Sequence, residues 1–159
     1  MTARKHLLAW LPAVLWMAVL FSASTELGAS RRTSRILIPV LRWLVPDIAP
    51  ATLDRAQFFV RKSGHAFGYA VLAALLWRAR HLTAPAGTSR FAREASFAFV
   101  AAAAFAASDE WHQTFTLSRQ GSTADVALDA AGAAGGLAMV WLARRCWNLR
   151  AKRPVPLQD

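Results

Sequence analysis

Four apolar stretches, each near the length that a helix needs to cross a bilayer, set the terms for this chain. A hydrocarbon core of about 30 Å asks for roughly 20 helical residues, and the segments 7–23, 58–77, 95–117 and 125–143 approach that length with polar positions among them. Backbone groups inside lipid have no water to bond, so such segments must be helical. The expected fold is all-α: an integral membrane bundle of about four transmembrane helices. It forms one domain over 1–150, followed by a basic, disordered tail at 151–159. A hydrophobic share of 55% in 159 residues agrees, being too oily for an ordinary soluble domain.

Two segments have competing readings. Arg4 and Lys5, the apolar run after them and Ser22-Ala23-Ser24 fit a cleaved signal peptide. The length of that run, its tryptophans Trp10 and Trp16 and the membrane character of everything downstream favour a helix that is retained. Ile36 to Pro46 is too short to span and is interrupted by Pro39 and Arg42. It reads as a short interfacial element in the first loop or as a packed loop. Thr83 to Ser89, with Pro85 and Gly87, reads as the turn between the second and third spans.

The net charge of +10 comes from Lys and Arg placed mostly between the apolar runs. Membrane lipids are the expected partner, and nucleic acid is not. With both termini on one side, that side holds eleven of the 19 Lys and Arg and the other side eight. Both termini are therefore expected in the cytoplasm, with the protein multi-pass in the bacterial cytoplasmic membrane. Cys146 is the lone cysteine, so no intrachain disulfide can form.

Against this apolar background, four of the nine acidic residues, Asp109, Glu110, Asp125 and Asp129, fall within 21 positions. A charge at bilayer depth costs about 2.5–3.5 kcal/mol on insertion scales, so an acid there is read as facing a cavity or a partner. At 1.5 Å per residue, Asp109 stands roughly 22 Å beyond Glu94 and Asp129 roughly 22 Å before Arg144. His65 stands roughly 20 Å before Arg78 by the same rise. Three helices thus bring ionisable groups to one level, away from the termini.

Helical spacing gives these residues faces. Asp109, His112 and Gln113 share a stripe, as do His65 and Tyr69. Asp125 and Asp129 share another that runs on to Gly132 and Gly136, a small-xxx-small pair that permits close helix approach. Arg119, in the short loop that follows, can fold over the cluster and grip an anion bidentately. The bland alternatives are ion pairs such as Asp109 with Arg119 or Asp125 with Arg61, a core histidine at His65, and interhelical hydrogen bonds from Tyr69 and Gln113. No cofactor motif is present and no tight metal spacing such as HExxH. A metal held by His65 and the four acids is therefore only weakly signalled, and no metal ligand is assigned.

At these residues the chain resembles the VanZ-like family of small bacterial membrane proteins, named after a protein associated with reduced susceptibility to the glycopeptide teicoplanin. The family's second-helix pattern appears as Lys62-Ser63-Gly64-His65-Ala66-Phe67-Gly68-Tyr69. Its longer pattern appears as Asp109, Glu110, Gln113, Phe115, Arg119, Asp125, Asp129 and Gly132, with Gly136 also in place. Phe21-Ser22 matches as well, while Leu117-Ser118 stands where many relatives carry Pro-Gly.

The resemblance implies a multi-spanning protein of the bacterial cell envelope and names no reaction. The favoured reading is a polar pocket of His65, Tyr69, Asp109, Glu110, Gln113, Arg119, Asp125 and Asp129. It faces outward, binds a lipid-linked or phosphate-bearing envelope component and influences glycopeptide susceptibility. The second reading is an intramembrane hydrolase or transferase with Glu110 or Asp109 as general base and His65 as acid or nucleophile. The third is a structural bundle with a buried salt-bridge network. Either one chain or a dimer interface could line the pocket.

Overall fold

The structure, a computed structural model, describes residues 3–24, 30–85, 87–114 and 122–151. Every regular element among them is a helix: α1 (Ala3–Ser24), α2 (Ser30–Leu44), α3 (Pro50–Thr83), α4 (Phe91–Gln113) and α5 (Thr123–Ala151). The molecule is an all-α membrane bundle. By length and composition α1, α4 and α5 can each cross a membrane. The 34-residue α3 has the length but carries Arg61, Lys62 and His65 in its middle. It also packs against each of the other four helices, most extensively α5, whose Asp125 and Asp129 meet Lys62 and His65.

Local chemistry sets the ends of these elements. Pro50 opens α3 at a position where its missing N–H costs nothing. Pro85 follows the helix, and Gly87 takes φ +76°, the left-handed region that glycine enters freely. The chain then re-enters as α4, with Glu94 in its first turn. α5 runs to Ala151, beyond the expected limit near Ala143, so the basic segment from Arg144 begins as helix. Residues 152–159 of the expected tail lie outside the described residues.

Close packing comes from small residues. In α4, Ala98, Ala102 and Ala106 repeat every four positions and are wholly buried, and this stripe carries Glu94 at one end and Asp109 and Gln113 at the other. In α5, a Cβ added at Gly132 would overlap the Ala66 carbonyl oxygen and stand 2.8 Å from its Cα. One added at Gly136 would stand 2.7 Å from the Cα of Ala70. These glycines let the backbones of α3 and α5 touch, the contact that drives association where lipid removes the hydrophobic incentive. Tyr69, Leu72, Ala73 and Leu76 fill the centre from α3.

α1 is a packed member of the bundle. Ala9 and Ala13 are buried, and the Trp16 indole donates to the Gly68 carbonyl at 2.9 Å. α2 is the expected short element, here a helix that includes Pro39. It touches only α3 among the described elements and leaves Trp43 and Leu44 exposed.

Candidate functional site

The inward stripes of α3, α4 and α5 deliver their polar residues to one end of the bundle. Asp109, Glu110, Gln113 and Asp129 are buried there, and Tyr69 is 1% exposed. Asp129 interacts electrostatically with Glu110, Asp125, Asp109 and Lys62, and Tyr69 with Asp109, Asp129 and Glu110. The convergence expected from helical rise is therefore what the fold produces.

Each acid is held differently. Asp109 Oδ2 accepts from the Ser24 hydroxyl at 2.5 Å and from Gln113 Nε2, one turn on, at 3.2 Å. Glu110 Oε2 accepts from the Ser122 backbone N–H at 2.9 Å, which ties the end of α4 to the start of α5. Asp125, half-buried in the first turn of α5, pairs with Lys62. Asp129 Oδ2 lies 3.9 Å from His65 Nδ1, within ion-pair reach but beyond hydrogen-bond distance. Five buried side-chain atoms have no hydrogen-bond partner among the described residues: Tyr69 Oη, Asp109 Oδ1 and Asp129 Oδ1 at this end, and Trp77 Nε1 and Glu94 Oε1 at the other.

Most of the residues selected from the sequence meet here, with some reassignment of partners. Asp125 pairs with Lys62 and not with Arg61. Arg61 and Lys62 both lie about one turn from His65, and the packing of α3 against α5 brings Lys62 to Asp125. His112 leaves the Asp109 stripe and is half-exposed, its ring 4.8 Å from that of Phe21. Arg119 lies outside the described residues. Among the described residues, no three His, Cys, Asp or Glu side chains are grouped to hold a metal ion.

Two participants were not singled out as site residues. Ser24 reads in the sequence as a small residue of a cleavage pattern, yet it bonds Asp109 across 85 positions of chain. The signal that could have found it is depth, because the end of the first helix reaches the same level as Asp109. Lys62 is visible in the sequence as the basic residue of the second-helix pattern.

The VanZ/LLP1 family model matches residues 9–144, from α1 to the last third of α5. The chain belongs to the VanZ/LLP1 family. The uncharacterized membrane protein YwnJ of Bacillus subtilis (strain 168) is 40% identical over 91 residues, 57% of this chain. The match covers 54% of YwnJ, so the chain spans about half the length of that curated relative. No solved structure matches. The family match thus takes in α1 with its Ser24 as well as the three helices that carry the acids.

Chemically, this end of the VanZ/LLP1 bundle is rich in acceptors. Four carboxylates share an electrostatic neighbourhood in which Lys62 is the cation engaged among the described residues. Ionised carboxylates only accept hydrogen bonds, while the Tyr69 hydroxyl and His65 can also donate. Such a surface suits a group that brings N–H or O–H donors.

Proposed function

We propose that the acidic end of the bundle is a pocket for the polar head of a cell-envelope component, such as a lipid-linked precursor. The observation that carries this reading is the set of three buried atoms, Tyr69 Oη, Asp109 Oδ1 and Asp129 Oδ1. Each comes from a different helix and lacks a partner among the described residues. A buried polar group left unpaired costs about 1–3 kcal/mol, so three at one place are better explained as atoms that a ligand satisfies than as accidents of packing. The acid excess favours a head bearing hydroxyl or amine donors. Any phosphate on the same ligand falls to Lys62. The distribution of Lys and Arg supports both termini in the cytoplasm and the pocket facing outward in the bacterial cytoplasmic membrane. From that position, occupancy by an envelope precursor changes envelope properties, glycopeptide susceptibility among them.

The pair His65 and Asp129 supports a second reading, an intramembrane hydrolase or transferase. A histidine 3.9 Å from a buried carboxylate is close to the arrangement used for proton transfer, with Glu110 or Asp109 as base. One experiment separates the two. Thermal stability of the detergent-purified protein and of Glu110→Gln is measured against lipid-linked envelope precursors, phospholipids and divalent cations. The binding reading expects a precursor to raise the melting temperature of wild type and the product of incubation to be unchanged precursor. Consumption of the precursor by wild type and not by Glu110→Gln would select the enzyme. A response to none of the compounds, with early melting of the variant, would leave the cluster structural.

A further inference from the structure

The opposite end of the bundle, where α1 and α4 begin and α3 and α5 finish, carries a second polar site of reversed charge. A cleft of about 420 Å³ lies along the last turns of α5, lined by Phe91, Trp141, Arg144, Arg145, Asn148 and Leu149. Both arginines are laid over tryptophans: the Arg144 guanidinium carbon is 5.0 Å from the Trp77 ring and that of Arg145 is 5.4 Å from the Trp141 ring. Arg144 Nη1 also lies 3.4 Å from His81 Nε2. Neither guanidinium has a carboxylate partner among the described residues. Glu94, the acid at this end, is 2% exposed and engaged by His81 Nδ1 at 3.0 Å.

We infer that this cleft is a binding site for an anionic phospholipid, one whose headgroup carries a phosphodiester and no amine. Charge complementarity supplies the first argument. Two adjacent arginines with no carboxylate partner among the described residues, steadied by stacking, present planar donor forks to a phosphate, and Asn148 adds a neutral donor for glycerol hydroxyls. Position supplies the second. The cleft sits where α5, a helix long and apolar enough to cross a membrane, reaches its end. Its wall combines arginine with Trp141 and Leu149, the mixture expected at the level where head groups meet acyl chains. An acyl chain leaving the phosphate would run along the exposed side chains of Leu142 and Met139. Basic pockets at helix ends are known sites of this chemistry. The volume falls within the range of about 300–1,000 Å³ typical of small-ligand sites.

The test uses the full chain in detergent, stripped of lipid, with native mass spectrometry counting retained lipid and melting temperature as the second readout. Phosphatidylglycerol and phosphatidylcholine are compared at equal concentration, with glycerol phosphate as a water-soluble arm. The proteins are wild type, Arg144→Gln/Arg145→Gln, and Arg90→Gln/Arg93→Gln, which removes the same charge at the same end outside the cleft. Wild type is expected to retain and be stabilised by phosphatidylglycerol over phosphatidylcholine. The cleft double variant should lose roughly tenfold or more in retention, and the control variant should behave as wild type. Equal retention of the two lipids by wild type, or equal loss in both variants, would overturn the site. So would a response to glycerol phosphate as large as that to the lipid, which would mark a soluble-anion site. A change in oligomeric state on cleft mutation without any lipid dependence would instead assign the surface to a second copy of the chain. Retention is read on whatever folded fraction each variant yields, so a lower melting temperature does not blur the result.

Discussion

The two ends of the α4 stripe bury carboxylates in opposite company. At one end Glu94 is met by His81, which Ser89 contacts at 3.0 Å and over which Trp77 stacks at 5.0 Å, with arginines beyond. At the other end Asp109 stands among three further acids, with serine, glutamine, lysine and histidine as partners. Between them lie only alanines on that face. The difference teaches how the helix is used: among the described residues, one end sets a single acid beside histidine, arginine and aromatic rings, and the other gathers four acids around Lys62. Each end keeps buried polar atoms with no hydrogen-bond partner among the described residues, Trp77 Nε1 and Glu94 Oε1 at the first and Tyr69 Oη, Asp109 Oδ1 and Asp129 Oδ1 at the second, so the two ends differ in charge balance more than in closure.

The scaffold that holds the two ends apart should be the most sensitive part. Gly132→Ala/Gly136→Ala would force α5 off the backbone of α3, and overpacking of this kind costs about 1–3 kcal/mol per site. Gly135→Ala, where an added Cβ meets nothing within 4 Å, should be neutral or gain up to about 1 kcal/mol from helix propensity. Denaturation in detergent compares the three. Equal losses would show that the close approach of α3 and α5 is not what stabilises the bundle.

At the Glu94 end, Glu94→Ala leaves His81 without its buried partner and should cost about 2 kcal/mol, with no effect on binding at the acidic end. Lys62→Met should cost less, about 1 kcal/mol, because the Lys62 and Asp125 side chains are 18% and 30% exposed and water screens the pair. It should nevertheless weaken any ligand whose phosphate Lys62 meets. If Lys62→Met proved more damaging than Glu94→Ala, the acidic end would be the structural one and the contrast would reverse.

Much of this was legible beforehand. Apolar length and helical rise were enough to place four helices and to bring His65, Asp109 and Asp129 to one level, because both follow from geometry that tertiary packing does not alter. Partner choice was harder. Arg61 and Lys62 are equally basic neighbours, and only the rotation of α3 against α5 selects Lys62. Ser24 carries no sequence mark of burial. The Glu94 and His81 pair spans the α3–α4 turn, where charged residues ordinarily face water, so nothing in the pattern announced that Glu94 is enclosed. The central place of α3 was likewise hidden, since its polar middle lowers its apolar character for the same reason that it is surrounded by other helices.

The most direct test is Tyr69→Phe, which deletes one of the three unpartnered atoms at the acidic end while keeping the ring that packs near Phe105. Melting of the variant and wild type is compared in detergent, alone and with lipid-linked envelope precursors. A ligand pocket predicts a variant at least as stable as wild type when alone, since an unpaired hydroxyl is removed, and a precursor-induced rise in melting temperature that wild type shows and the variant lacks. A variant less stable than wild type by more than about 1 kcal/mol, with no precursor shifting either protein, would contradict the account and make the Tyr69 hydroxyl part of a structural network.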